Sequence, residues 1–70
     1  RSPYTKEERL KLALQYLSEH GAMRVAEYMD LTGLSRTMAA MELKAFRQDA
    51  SSGITFIGRG SAKVYVKAMK

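Results

Sequence analysis

The sequence contains no cysteine, no tryptophan and a single histidine, and each of these absences excludes a class of protein. Without cysteine the chain has neither a disulfide framework nor a thiolate metal site. The one imidazole, His20, does not make a zinc site, and at the end of a predicted helix it complements the helix dipole. No apolar run approaches the roughly 18 residues of a membrane span, and none resembles a signal peptide. We therefore expect no metal, no cofactor and no membrane contact.

The chain is also short, with 70 residues of which 46% are hydrophobic. This length allows one folded domain, and we expect residues 1–70 to form it. Because the chain begins at Arg1 rather than Met, we expect it to be a processed or excised piece of a longer protein. No Ser-His-Asp arrangement, paired carboxylate site or phosphate-binding glycine motif is visible, so an enzyme is not expected.

Acidic residues are absent from the last third of the chain. The net charge is +1 over residues 1–23, zero over 24–50 and +4 over 51–70, which makes up the total of +5. A basic end of this kind is typical of a surface that binds a polyanion such as nucleic acid. Solvating charge on an exposed hairpin is the alternative.

The first helix is predicted from about Lys6 to about His20. Thr5 and Glu8 have the spacing of a capping box, and Gly21 suits the position that ends a helix. One apolar stripe has helical spacing and predicts the buried face, namely Leu10, Ala13, Leu14 and Leu17. A second apolar pair, Leu12 and Tyr16, lies roughly opposite it. This pair is either a protein contact or an ordinary exposed apolar pair.

Two further helices are predicted around Gly33. The segment 24–30 is typical of a short helix with Val25, Tyr28 and Met29 inward, interrupted by residues 31–34. Ser35 is a good N-cap for a helix from about Arg36 to Asp49, whose inward residues are Ala39, Leu43 and Phe46. Two helices joined by a tight turn at one glycine have the layout of a helix-turn-helix.

The last third changes to a strand pattern. Residues 54–57 form a β-rich run, and residues 62–68 alternate strictly between apolar and polar or aromatic side chains. A glycine-containing turn at 58–61 connects the two runs, which predicts a β-hairpin. We expect Lys63, Tyr65 and Lys67 to lie on its outward face, opposite the small apolar residues of the second strand.

Residues 25–37, VAEYMDLTGLSRT, resemble the Thr-Gly-Leu-Ser segment of bacterial winged-helix transcriptional regulators, and residues 58–65, GRGSAKVY, resemble their wing. The resemblance covers nearly all of the chain from about residue 6. It implies an α+β fold, a three-helix winged helix-turn-helix with a C-terminal β-hairpin wing. The chain departs from the family pattern at Arg24, where Ser or Thr usually caps the second helix, and at Tyr28, where Leu is usual.

The resemblance also implies that helix 35–49 enters the major groove of duplex DNA while the wing, 54–68, contacts the backbone. The helix face opposite the core presents polar and small side chains, and Met41 and Gln48 also lie on it. Few of these side chains recognise base edges strongly. We therefore expect backbone-dominated binding with modest sequence preference. The predicted DNA-binding residues are Ser35, Arg36, Thr37, Ala40, Lys44, Arg47, Arg59, Ser61, Lys63 and Lys67.

Each of these assignments has a plainer alternative. Ser35 also serves as a helix cap, and lysines on an edge strand also prevent aggregation. Met41 is either a base contact or part of an interface. Single-strand or RNA binding through Tyr65 is a weaker interpretation, since one aromatic ring is a poor stacking platform.

Two functions therefore follow from the sequence. The first is duplex DNA binding in transcription regulation or another DNA transaction, in the bacterial cytoplasm and associated with the nucleoid. The second is a winged-helix interaction module without DNA binding, in which Leu12 and Tyr16 on the first helix, together with Met41, contact a partner. That partner is either a second copy of the chain or another domain of its parent protein.

Overall fold

The computed structural model describes residues 3–60 and 63–68. Three helices, α1 (Lys6–His20), α2 (Val25–Thr32) and α3 (Arg36–Gln48), are followed by two strands, β1 (Ile54–Ile57) and β2 (Val64–Lys67). The strands pair antiparallel as a two-stranded sheet. This arrangement confirms the predicted α+β layout and is consistent with a winged-helix-like fold.

The ends of α1 are those that the sequence predicts. Thr5 Oγ1 accepts the N–H of Glu8 at 3.1 Å, and the Glu8 carboxylate accepts the N–H of Thr5 at 2.9 Å. Two N–H groups at the helix start, which have no partner within the helix, are thereby satisfied. Gly21 ends the helix with φ +84°, a left-handed conformation that a residue with a Cβ resists.

The turn between α2 and α3 differs slightly from the prediction, because α2 continues to Thr32 rather than stopping near Asp30. The Thr32 hydroxyl donates to the Tyr28 carbonyl at 2.7 Å and accepts the N–H of Leu34 at 3.3 Å, so it belongs to the last helical turn. The helix ends at Gly33, which has a positive φ of +78°. Ser35 then caps α3, as predicted, by accepting the N–H of Met38.

A single core fills the space between the helices and the hairpin. The inward residues predicted for α3, Ala39, Leu43 and Phe46, are all buried. On α1, Ala13 and Leu17 are buried, whereas Leu10 and Leu14 are partly buried against the core. The other buried apolar residues are Met23, Tyr28, Ile54 and Tyr65.

The predicted orientation of β2 is wrong. Tyr65 is only 4% exposed, and its backbone forms two hydrogen bonds with Met23, at 2.7 and 2.8 Å. Alternation along a strand determines which residues share a face but not which face meets the core. The larger aromatic ring turns toward the helices, where it removes more apolar surface from water, and Val64 and Val66 are left half-buried.

The two lysines that flank Tyr65 share its face but lie four residues apart along the strand, so they meet different parts of the helical layer. Both remain exposed, but each extends from an edge of the core-facing side toward a different helix. Lys63 approaches Phe56 beside α3, whereas Lys67 Nζ donates to Ser18 Oγ on α1 at 2.9 Å. A face expected to form one basic strip is therefore divided. Within residues 3–60 and 63–68, no helix is long and apolar enough to cross a membrane.

Candidate nucleic-acid interface

Two adjoining clefts lie where the helices meet the hairpin. The first, of about 400 Å³, has an apolar floor of Val25, Ala40, Phe56 and Tyr65. The second, of about 360 Å³, lies near the starts of α2 and α3, and Gly60 of the hairpin lines it. Because Val25, Tyr65 and Lys63 line both clefts, the two form one continuous concave surface.

Five cations from three parts of the chain line this surface: one directly precedes α2, three lie on α3 and one directly precedes β2. We call them the basic face: Arg24, Arg36, Lys44, Arg47 and Lys63. Among the residues that the structure describes, no Asp or Glu lines either cleft. A concave, uncompensated positive surface concentrates anions and accelerates their approach. This face is therefore suited to a polyanion rather than to an acid–base reaction.

An aromatic ring, Phe56, lies in the first cleft and contacts two of the five cations. The Arg47 guanidinium carbon is 4.5 Å from the centroid of the Phe56 ring, and Lys63 Nζ is 4.9 Å from the same centroid. Phe56 also contacts Tyr65, its cross-strand partner, in an edge-to-face pair at 6.1 Å. Burial raises the pKa of Tyr65, and the charge of Arg47 opposes this only in part. The buried Tyr65 ring is not available to stack on a base.

The structure brings together half of the predicted DNA-binding residues. Arg36, Ala40, Lys44, Arg47 and Lys63 all line the two clefts.

The other predicted residues lie at or beyond the margin of this surface. Ser35, the N-cap of α3, and Thr37, in its first turn, are exposed on either side of Arg36. Arg59 is exposed at the hairpin tip, between Gly58 and Gly60, and both glycines have a positive φ. Lys67 lies beside α1, and Ser61 is outside the described residues.

Two members of the surface were missed from the sequence. Arg24 drew attention only as a poor cap, and its side chain indeed has no acceptor atom, although Glu27 Oε1 accepts its backbone N–H at 2.6 Å. The Arg24 side chain, which makes no capping hydrogen bond, lines the second cleft and adds a positive charge there. Phe56 was treated only as part of a strand. Its position opposite Tyr65 in the hairpin register was the available signal.

The structure also reveals a polar network that sequence reasoning did not find. Arg9 from α1 forms two parallel hydrogen bonds to the Glu42 carboxylate on α3, at 2.5 and 2.7 Å. Tyr28 from α2 donates its hydroxyl to the same carboxylate at 2.5 Å. This Glu42 network (Arg9, Tyr28 and Glu42) joins all three helices, and the Arg9 and Glu42 side chains are only 15% and 13% exposed.

The charges of the Glu42 network stabilise each other. Burial opposes ionisation of Glu42, but hydrogen bonds from Arg9 and Tyr28, with the Arg9 charge, outweigh it and hold the Glu42 pKa below its ordinary value. The hydrogen bond to Glu42 raises the pKa of Arg9. Burial and the adjacent carboxylate raise the pKa of Tyr28 strongly. The network is thus a neutralised structural contact, and it gives the hydroxyl of the buried Tyr28 a hydrogen-bond partner.

The predicted interface residues of α1 line a separate surface. Leu12 and Tyr16 border an open cleft of about 230 Å³ together with Gln15, Glu19 and Leu31. The Tyr16 ring contacts the His20 imidazole, with centroids 4.3 Å apart. Met41, the third predicted member, is 62% exposed on α3 and does not line this cleft.

In the described part of the chain, no cluster of three or more His, Asp or Glu side chains is arranged to hold a metal ion. Comparison of the sequence and the structure with protein-family models, with curated proteins and with solved structures finds no significant match. The functional interpretation therefore depends on the chemistry of the surfaces themselves.

Proposed function

We propose that this chain is a winged-helix domain that binds double-stranded DNA. In this proposal α3 enters the major groove and the hairpin contacts the phosphate backbone. Its role is transcription regulation or another DNA transaction in the bacterial nucleoid. The observation that carries the proposal is the convergence of five cations on one concave face that no Asp or Glu of the described residues lines.

The chemistry of α3 supports modest rather than strict sequence preference. Met38 and Met41 are 53% and 62% exposed, and Ala40 lies between them on the cleft side. Thioether and methyl groups contact thymine methyl groups but do not read the hydrogen-bond pattern of a base edge. The cations at both ends of the helix are suited to phosphate contacts, which position a protein without specifying sequence.

Fluorescence anisotropy with a labelled duplex, measured at several salt concentrations, tests this proposal. We expect wild type to bind with an affinity that falls steeply with salt, with a log–log slope of about −0.9 for each phosphate contact. Lys44→Ala/Lys63→Ala removes two cations of the basic face and should reduce the slope magnitude by about 2. The affinity should fall on several unrelated duplexes by the same factor.

The matched control is Lys11→Ala/Lys67→Ala, which removes the same charge from two exposed lysines that line neither cleft. It should leave the slope near that of wild type. Equal losses in the two double variants would show that only net charge matters and would contradict the assignment of the face. Absence of binding by wild type at low salt would refute DNA binding altogether.

The cleft beside α1 supports a second candidate, association with another protein without DNA binding. Its specific observation is the open cleft that Leu12, Tyr16 and Leu31 line. Sedimentation velocity over a range of concentrations tests association between copies of the chain. A self-association that Leu12→Ser/Tyr16→Ser abolishes while the salt-dependent DNA affinity is absent would favour this candidate.

A further inference from the structure

At the Phe56 ring, one cation from α3 and one cation from the hairpin contact the same aromatic side chain. Arg47 belongs to α3, whereas Lys63 directly precedes β2, and the two side chains contact the same ring at 4.5 and 4.9 Å. Phe56 itself lies on β1, so three segments of the chain meet here. Cations lie favourably over an aromatic ring because the ring face carries negative potential.

This arrangement holds like charges close together. Since both cations lie within 5 Å of one centroid, they are within about 10 Å of each other, which is about one Debye length at 0.1 M salt. They repel each other, and among the described residues no carboxylate lines the cleft to offset this repulsion. An anion bound between them would do so. The pair is therefore arranged for an external negative charge.

We propose that Phe56 is a positioning residue for the DNA backbone, a role that presupposes the DNA binding proposed above. Its ring holds Arg47 of α3 and Lys63 of the hairpin in one place, so that the DNA backbone contacts both at once. The two cations then bind without first losing the rotamer freedom of long side chains, which lowers the cost of association. Phe56 acts through the cations and needs no contact with DNA itself.

Phe56 also has a packing role, since it contacts Tyr65 and lies against the core. A test must separate the two roles. Tyrosine preserves both the ring and its packing, whereas leucine preserves apolar burial but removes the aromatic face. We therefore compare Phe56→Leu with Phe56→Tyr in the 70-residue chain, each in the wild-type background and in the Arg47→Ala/Lys63→Ala background.

The measurement is the duplex DNA dissociation constant at fixed salt. Phe56→Leu should weaken binding by about fivefold in the wild-type background, and Phe56→Tyr should stay within about twofold. In the background without the two cations, Phe56→Leu should cause no further loss. An equal loss in both backgrounds, or a loss with tyrosine as large as with leucine, would overturn the positioning role.

A second measurement needs no DNA and separates this inference from the proposed function. The side-chain methylene protons of Arg47 and Lys63 should show upfield NMR shifts from the Phe56 ring, which Phe56→Leu removes and Phe56→Tyr retains. Unshifted protons in wild type would overturn the inference. DNA binding by wild type with no effect of Phe56→Leu overturns the inference alone, whereas no binding by wild type overturns the proposed function and the role together.

A control variant accounts for lost packing. Met29→Ala truncates another half-buried residue that packs on the core but lines neither cleft. At a temperature where thermal unfolding shows every variant folded, Met29→Ala should bind DNA as wild type does. If it weakens binding as much as Phe56→Leu, the effect of Phe56 is general destabilisation and the positioning role is refuted.

Discussion

Charged side chains contact an aromatic residue both at Tyr28 and at Phe56, and the balance of charge at these two sites is opposite. At Tyr28 the Glu42 carboxylate accepts hydrogen bonds from Arg9 and from the tyrosine hydroxyl, so the positive charge is neutralised within the protein. At Phe56 two cations share one ring, and within the described residues no acid lines the cleft. The first arrangement stabilises the fold, whereas the second leaves charge for a partner.

The difference shows why net charge alone says little about function in a small domain. An ion pair that is mostly buried is costly to break, because each partner would be left without compensation in a poorly solvated site. An exposed cation beside an aromatic ring keeps its hydration and contributes little to stability. The same residue type thus serves stability in one region and binding in the other.

The largest expected effect is at the neutralised site. Glu42→Ala leaves the Arg9 guanidinium and the Tyr28 hydroxyl without their shared acceptor, and should lower the free energy of unfolding by about 3 kcal/mol. Urea unfolding followed by circular dichroism measures this loss. Glu7→Ala, which removes an exposed carboxylate from the first turn of α1, should lose only about 0.5 kcal/mol. Equal losses of unfolding free energy in the two variants would mean that the Glu42 network stabilises the fold no more than an exposed carboxylate does.

Acid should weaken the same site, though by less, because a neutral carboxyl still accepts a hydrogen bond. The pKa of Glu42 is below its ordinary value of 4.5, so its contribution to stability is complete above about that pH and is lost as the pH falls through the folded-state pKa. Stability should therefore fall less steeply with acid in Glu42→Gln than in wild type. Asp49, whose pKa the hydrogen bonds from Ser51 also lower, titrates in both proteins. If the stability of wild type and of Glu42→Gln falls in parallel from pH 7 to pH 2, the stabilising role of the ionised Glu42 carboxylate is contradicted.

Substitution of the two cations at Phe56 should have the opposite result, a loss of DNA affinity with little loss of stability. Arg47→Ala/Lys63→Ala should weaken duplex DNA binding about tenfold at 0.1 M salt, which is about 1.4 kcal/mol, while changing the free energy of unfolding by less than about 1 kcal/mol. Glu42→Gln should keep the DNA affinity within about twofold. Measuring both quantities on both variants gives a crossed comparison. A large stability loss from the cation variant would erase the distinction between the two regions.

The smallest expected effect comes from one hydroxyl. Tyr28→Phe removes a single donor to Glu42, keeps the buried ring and leaves the Arg9 pair intact, so we expect a loss of about 1 kcal/mol. Tyr16→Phe, which removes a hydroxyl from a half-buried ring on α1, should change urea stability by less. A loss of several kcal/mol from Tyr28→Phe would mean that the pair with Arg9 depends on the tyrosine.

Local features were predicted well because short-range physics determines them. The Thr5–Glu8 capping box, the positive φ of Gly33 and the Ser35 cap each depend on a few neighbouring residues. The predicted end of α2 was early because Thr32 satisfies a helical carbonyl with its own hydroxyl. The α+β layout follows from the change of period between α3 and β1.

Contacts between distant residues were not predictable from these patterns. Arg9 and Glu42 are 33 positions apart, and nothing in either neighbourhood indicates the other. Of the predicted DNA-binding residues, Lys44, Arg47 and Lys63 converge on one face. Lys67 does not, because it lies four residues along the strand from Lys63 and donates to Ser18 on α1. DNA binding itself stays a prediction that the experiments above decide.

The sequence by itself determined both ends of α1, the start of α3, which residues alternate along β2, and that the chain carries excess positive charge toward its end. Propensity, capping and periodicity act over a few residues and are readable from one segment at a time. Only the tertiary structure decided which face of β2 meets the core, because that depends on where Tyr65 buries the most apolar surface. Tertiary packing also placed Arg47 and Lys63 at the Phe56 ring and Lys67 beside Ser18 of α1.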